Sequence, residues 1–368
     1  MEDKKNFMNA QNNDQIRIVI LSDGKPGHYN QSLGIIDSMK DVYAEIKQIK
    51  FKKKWRDNML RVITRLTYRF NLSHKLIKAL LKWSMESSSF YELQELSDFD
   101  AVLSTGSSVS APNYWLSKLI SARSIVCTRP SPIGINPYDL AILPEHTRLY
   151  RRNVVKTFGV PNRINPEFIR KKGEELLSKI NTGGKKVIGV LLGGEDHYSS
   201  IPPDFMSLIC DALLDISKET NARLAVTTSR RTDPRSEEIV KSKLSNDLCC
   251  FLVLASQQKE NPVPGIIGIS EVVIVTEDSF SMVCESASSG KKVMILKVKR
   301  KRKGNPKHQR VYKLMSEKGY VRISDILGLK QTLINYLNET SQPEVLNDAK
   351  VAADAILELL RSNKSIRN

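Results

Sequence analysis

The sequence predicts an α/β protein built from two successive doubly wound domains. Three observations carry this. Short apolar runs alternate with helical patterns along the chain. Those runs lack the polar–apolar alternation of a half-exposed strand, as expected of parallel strands covered on both faces. The 368 residues exceed the usual size of one domain, and a polar, glycine-containing stretch divides them into two blocks.

Residues 1–15 are polar and read as a disordered tail. Ile16–Leu21 is a β-branched run, then a glycine loop (SDGKPGHYNQ, 22–31), then a helical pattern. Ala101–Leu103 leads through STGSS into a helix over 111–120. Ser124–Thr128 and Leu140–Leu143 complete the strands of a first domain over 16–170. Residues 171–186, ending Asn181-Thr-Gly-Gly, read as the linker. The second domain, 187–340, opens with the strand Val187–Leu192 and GGEDHY. A helix over Pro203–Thr220 follows, then strands at Leu224–Thr228, Cys250–Leu254, Val272–Thr276 and Val293–Leu296. Residues 341–368 are an amphipathic helix and tail.

Composition narrows the function. At 40% apolar residues, the chain can form real cores, which argues against wholesale disorder. The net charge of +17 is concentrated. Residues 47–82 hold twelve Lys/Arg against one acid, Asp57, and residues 297–310 hold eight with no acid. The remainder is slightly acidic, which excludes a generally basic coating protein. Five cysteines without a CxxC spacing imply neither a disulfide framework nor a structural zinc site. No apolar segment of a secretory signal or a spanning helix is seen, so the expected place is cytoplasmic, peripheral at the inner face of a membrane.

In doubly wound sheets, ligands sit outside the carboxyl ends of the strands. Four loops occupy such positions. Gly24 and Gly27 allow close backbone approach before a helix N-terminus, with Asp23, Lys25, His28 and Gln31 beside them. His28 is a candidate general base, because its ordinary pKa lies near working pH. Gly193 and Gly194 suit backbone contact with phosphate, while Glu195 and Asp196 face solvent or an acceptor hydroxyl. Ser229, Arg230 and Arg231 follow a strand end, where a guanidinium can pair with a diphosphate. Ser279 opens a helix whose free N–H groups suit an anion, with Ser281 and Glu285 following. The pair Glu277-Asp278 reads as capping. The loop at 22–31 is neither a Walker loop nor the dinucleotide fingerprint.

DGKPGHYNQSLG, TRPSPIGINPYDLAILPEH, NVVKTFGVPNRINPE, LLGGEDHY, TTSRRT and TEDSFSMVCESASSGKKV occur in this order. Together they resemble the elongated-mitochondria (mitochondrial fission) family, from about Ile16 to Ile323. The resemblance implies a GT-B-like architecture of two Rossmann-like domains facing a cleft. It implies a nucleotide-sugar donor in the second domain, held by Gly193, Gly194, Ser229, Arg230, Ser279, Ser281 and Glu285. The first domain then presents Gly24, Lys25, Gly27, Gln31 and Thr105 to the acceptor, with His28 or Asp23 as the base. No metal or cofactor is implied, the nucleotide-sugar being a substrate. Bacterial members of the family imply sugar transfer to a glycan or lipid-linked acceptor in surface-glycan assembly. Plant members imply an alternative, a non-catalytic membrane adaptor that recruits a dynamin-like partner. Two features depart from the pattern: Pro26 and His28 in the first loop, and the strongly basic stretch 298–306.

The basic segments point to anions of two kinds. Over 56–83, apolar residues recur at spacings near three and four, and Arg61, Arg65 and Arg69 form one i, i+4 line. Such a segment, with Trp55 and Trp83 at its edges, suits an anionic bilayer or a phosphorylated lipid-linked acceptor. The second run, Lys297–Arg310, suits a nucleotide diphosphate, with Lys307, His308 and Arg310 as nearer contacts than the tip at 298–303. No RNP1, KH or zinc-knuckle pattern is present, which argues against nucleic acid.

Overall fold

The structure, a computed structural model, describes residues 15–257, 260–301 and 307–367. Residues 1–14 of the expected tail (1–15), residues 302 and 303 of the basic tip (298–303) and the side chain of Lys307 lie outside what the structure describes. The chain forms two compact units. The first takes the chain up to Leu143, with 150–155 and 352 onward. The second takes 144–149 and 156–351.

The first unit runs β1 (Ile16–Ser22), α1 (Pro26–Asp37), β2 (Val42–Gln48), α2 (Lys54–Thr67), α3 (His74–Ser84), α4 (Ser87–Gln94), β3 (Ala101–Thr105), α5 (Ser110–Leu119), β4 (Arg123–Cys127) and β5 (Leu140–Pro144). With β6 (Val154–Thr157) these make one sheet in the order β2-β1-β3-β4-β5-β6. The strands β1 to β5 pair in parallel. Ile18, Ile20, Leu103, Ile125 and Ile142 form the core of one face with Ile35 of α1. The final helix, α13 (Asp348–Arg367), closes that face with Ala352, Ala353, Ile356 and Leu360, one stripe at helical spacing.

The second unit begins with α6 (Pro166–Leu177) and β7 (Val187–Leu191). It continues through β8 (Ser199–Ser200), α7 (Pro203–Thr220), β9 (Arg223–Thr227), α8 (Pro234–Leu244), β10 (Cys249–Val253), α9 (Val263–Ile269), β11 (Val272–Thr276) and α10 (Phe280–Ala287). It ends with β12 (Lys292–Leu296), β13 (Lys299–Arg300), α11 (Lys307–Glu317), β14 (Arg322–Ser324) and α12 (Leu329–Asn338), before α13 returns to the first unit. The main sheet is parallel throughout, in the order β10-β9-β7-β11-β12-β14. Setting aside the small antiparallel pair β8·β13, this is the Rossmann strand order 3-2-1-4-5-6. Alternate residues serve opposite cores. Ile188, Val190, Val272 and Ile274 pack under α7, while Val187, Leu191, Val273 and Val275 pack under α6 and α9. Both faces are buried, so these strands show no polar alternation.

Three expectations need correction. Residues 171–186 are not simply a linker, because α6 runs to Leu177 and buries Ile169 and Leu176 in the second unit. The division falls at 155/156 instead. The segment 56–83 is two helices, broken at 68–73, and Ser73 caps the second by accepting from the Leu76 N–H. The strands β2, β6 and β14 also go beyond the expected set. The first of these carries Glu45 and Lys47 at an edge, where one face stays polar.

Candidate active site

In the first unit the strand order reverses between β2-β1 and β3-β4-β5, so the loops after β1 and β3 part around a switch point. The β1 loop turns at Gly24, whose φ of +77° lies in the left-handed region open to glycine. Ser22 Oγ accepts from the Gly24 N–H at 3.1 Å, and Asp23 Oδ1 accepts from the Lys25 N–H at 3.2 Å. Pro26 then starts α1.

This turn buries the Asp23 carboxylate, with its side chain only 6% exposed. His28 Nδ1 lies 3.0 Å from Asp23 Oδ2, and Lys25 Nζ lies 3.1 Å from it. Burial acts to raise the Asp23 pKa. The hydrogen bond from Lys25 and the charge of His28 outweigh it and hold the carboxyl below its ordinary value. With Nδ1–H directed at Asp23, His28 Nε2 is the nitrogen left to take a proton. The β3 loop passes against the imidazole at Gly106, where any Cβ would collide with the ring.

The other expected residues of this loop differ in what they can reach. Gly27 is exposed, with open space beside it. Gln31 Oε1 receives the Cys127 thiol at 3.7 Å. Thr105 is buried and its hydroxyl lies 2.8 Å from that of Ser32, so it fastens α1 to β3 and is not presented outward. Arg61 and Arg65 do not form a free cationic line with Arg69. Arg61 pairs with buried Asp57 at 2.9 Å and donates to the Ser131 carbonyl, and Arg65 donates to the Pro132 carbonyl at 2.8 Å. Ser131 N–H donates in turn to Ser107 Oγ at 3.0 Å. The two arginines therefore brace the loop after β4 beside the β3 loop, while Arg69 rests on Tyr68.

In the second unit the switch point lies between β7 and β11. Gly193 and Gly194 leave β7 there, but their N–H groups are already used. Gly193 donates to Thr276 Oγ1 at 2.7 Å and Gly194 to Asp278 Oδ2 at 2.9 Å. A Cβ on Gly193 would strike the Asp278 carboxylate, and one on Gly194 the Arg231 backbone. The glycines thus serve close approach of three strand-end loops. Asp278 does not cap α10. It is fully shielded and binds Arg231 Nη2 at 2.9 Å. Burial raises its pKa against the Gly194 N–H and the Arg231 charge. Glu277 accepts from the Val298 N–H at 3.0 Å and from Arg300 at 2.9 Å.

Arg231, not Arg230, reaches this site. Arg230 is exposed, while Ser229 Oγ accepts from the Arg231 N–H at 3.2 Å and holds the turn. Ser279 stands at the N-cap of α10 but its side chain makes no capping bond, and Ser281 is exposed. Glu285, one turn further on, is half-buried, and its desolvated carboxyl is pushed up to about 7. The expected solvent-facing acids are tied down: Asp196 accepts from the Tyr198 N–H at 2.7 Å, and Glu195 pairs with Lys301. Lys299 pairs with Asp204, so much of the basic run over 297–301 is neutralised within its own unit. His308 stacks on Phe280, ring centroids 4.2 Å apart, and acts as packing at the start of α10. Arg310 is exposed.

Among the described residues no group of three or more His, Cys, Asp or Glu side chains is placed to hold a metal ion. A hollow of about 890 Å³ in the second unit lies at the opposite end of the sheet, between α6, α9 and residues 339–345, and none of the switch-point residues lines it. The switch-point loops therefore carry the functional argument on their chemistry and topology, not on concavity.

Comparison with known proteins agrees with this architecture. The family model described as mitochondrial fission ELM1 matches residues 26–360. An uncharacterized protein, RP120, of Rickettsia prowazekii (strain Madrid E) is 22% identical, covering 95% of this chain and 100% of its own. A putative UDP-N-acetylglucosamine 2-epimerase from Listeria monocytogenes superposes with a TM-score of 0.57 at 10% identity, covering 95% of this chain and 97% of its own. UDP-GlcNAc 2-epimerase from Neisseria meningitidis, solved with UDP-GlcNAc bound, gives 0.55 at 14% identity, covering 95% and 100%. At these identities the likeness is one of fold, a GT-B-like pair of Rossmann-like domains.

Proposed function

The chain belongs to the mitochondrial fission ELM1 family, and from that premise we propose that it transfers a sugar from a nucleotide-sugar donor to a glycan or lipid-linked acceptor at the cytoplasmic face of a membrane. The observation that carries this is the Asp23–His28 pair at the first switch point. A buried carboxylate fixes Nδ1 of the imidazole, and Nε2 remains as the base. The nucleotide-sugar bound in a solved structure of similar fold supports a UDP-sugar as the first donor to test.

In this reading His28 Nε2 takes the proton of an acceptor hydroxyl, and Asp23 stabilises the imidazolium that forms. The hydroxyl oxygen bonds to the anomeric carbon. The bond from that carbon to the donor diphosphate breaks, and the nucleoside diphosphate leaves with the electron pair. Arg231 and the uncapped N–H groups of α10 stabilise the charge on the leaving phosphate. Glu285 accepts from the ribose hydroxyls.

Calorimetric titration with UDP, UDP-sugars and CMP-linked sugars tests the donor site, and absence of saturable binding to all of them would reject the reading. The His28→Ala variant tests the base. It is expected to keep donor affinity and lose turnover by about 10²–10⁴-fold, the usual contribution of general base catalysis. A non-catalytic adaptor recruiting a dynamin-like partner, the other reading the family suggests, predicts instead that His28→Ala leaves function in cells intact.

A further inference from the structure

We propose that the outward face of α2 seats the protein on an anionic lipid surface, an apolar stripe entering the headgroup layer between flanking lysines. The inference specifies the membrane face of the reading above and does not depend on its chemistry.

The helix α2 has a buried face and an exposed apolar stripe. Asp57, Leu60 and Thr64 turn toward the first unit and are buried. On the other side Trp55, Met59, Val62 and Leu66 are exposed by 50%, 46%, 43% and 68%. At ~100° per residue these four fall within about 60° of arc, roughly opposite the buried three. Phe70 continues the stripe past the helix end at 67% exposure. A surface helix needs one apolar stripe for its core. Among the described residues the second stripe stays exposed apart from the contact of Trp55 with Trp83, and a contiguous exposed apolar patch marks an interaction site.

Charge selects the occupant. Lys52, Lys53 and Lys54 lie exposed at the start of α2, and Lys75, Lys78 and Lys82 lie exposed on α3. The one acid among residues 47–82 is Asp57, which is buried and paired with Arg61. A second copy of the chain on this face would bring two like-charged lysine clusters together. An anionic bilayer satisfies both parts of the patch, apolar stripe and cations. Trp55 sits at the edge of the stripe, edge-on to Trp83 at 5.5 Å with Arg56 over both rings, an amphipathic anchor of the kind that favours the membrane–water boundary. No helix among the described residues is long and apolar enough to cross a membrane, so the contact is one of lying on the surface.

The test is co-sedimentation of the full chain with phosphatidylcholine vesicles, with and without phosphatidylglycerol. The chain is expected to bind the anionic vesicles and to be released by salt. Val62→Glu with Leu66→Glu changes only exposed positions and is expected to lower the vesicle-bound to free ratio at least about tenfold, with an unchanged thermal melting midpoint and circular dichroism spectrum as the control for folding. Lys75→Glu with Lys78→Glu is expected to weaken binding and reduce its salt dependence. Three results would overturn the proposal: no binding of the unaltered chain to anionic vesicles, equal binding by Val62→Glu/Leu66→Glu, or a solution dimer that the same variant dissociates without any vesicle binding. Vesicle binding without nucleotide-sugar binding would sustain the surface and reject the transfer chemistry, and the converse would do the reverse.

Discussion

Glu285 illustrates how one side chain can report on the proposed donor site. Its carboxyl is pushed up to about 7 by burial, so it gains its charge near neutral pH. A ribose hydroxyl donates best to the ionised form. Nucleotide affinity is therefore expected to rise several-fold between about pH 6 and pH 8, and calorimetry of Glu285→Gln should show that rise flattened. The residues of the two switch points were unequally legible in the sequence. Asp23 and His28 stand five positions apart in one loop, so their partnership follows from local order alone. Arg231 and Asp278 are 47 positions apart and meet only because β9 and β11 flank β7. No local pattern separates Arg231 from its neighbour Arg230. Likewise Thr105 looks available at a strand end, and only the placement of Ser32 shows its hydroxyl to be occupied.

At the scale of elements, strands buried on both faces read clearly. Val272–Thr276 and the helix Pro203–Thr220 have the bounds their apolar patterns imply. Elements with one polar face or few residues do not, as Val42–Gln48 and Arg322–Ser324 show. α6 was obscured differently. Its polar residues, such as Arg170 and Glu174, face water and pair with each other, which hides a helix inside a stretch that resembles a linker. Its close seating on α9 depends on Gly173 and Gly268. A Cβ on Gly268 would collide with the Ile169 carbonyl and come within 2.6 Å of the Gly173 nitrogen. Gly268→Ala is thus expected to push the two helices apart and cost about 1–3 kcal/mol, a penalty of overpacking. A lowered denaturant midpoint with an unchanged slope would measure it.

The chain crosses between its units four times, and a buried carboxylate stands near the last two crossings, at 155/156 and 351/352. Asp348 accepts from the Phe158 N–H at 2.9 Å and the Gly159 N–H at 2.7 Å. Burial raises its pKa to about 6, despite these two bonds. The folded chain therefore holds this proton more tightly than the unfolded chain, whose Asp has a pKa near 4. Stability from this group is fully present below about pH 4 and is lost as pH rises through about 6, a change of about 3 kcal/mol. Asp348→Asn removes the titration but supplies only one carbonyl oxygen for two N–H donors, so it is expected to be the less stable protein in acid. Its deficit should then shrink as the unaltered chain ionises. Thermal melts of both proteins between about pH 4 and pH 7.5 measure this: the gap in Tm should narrow with rising pH, and a constant gap would show that the carboxylate at the crossings does not titrate in that window.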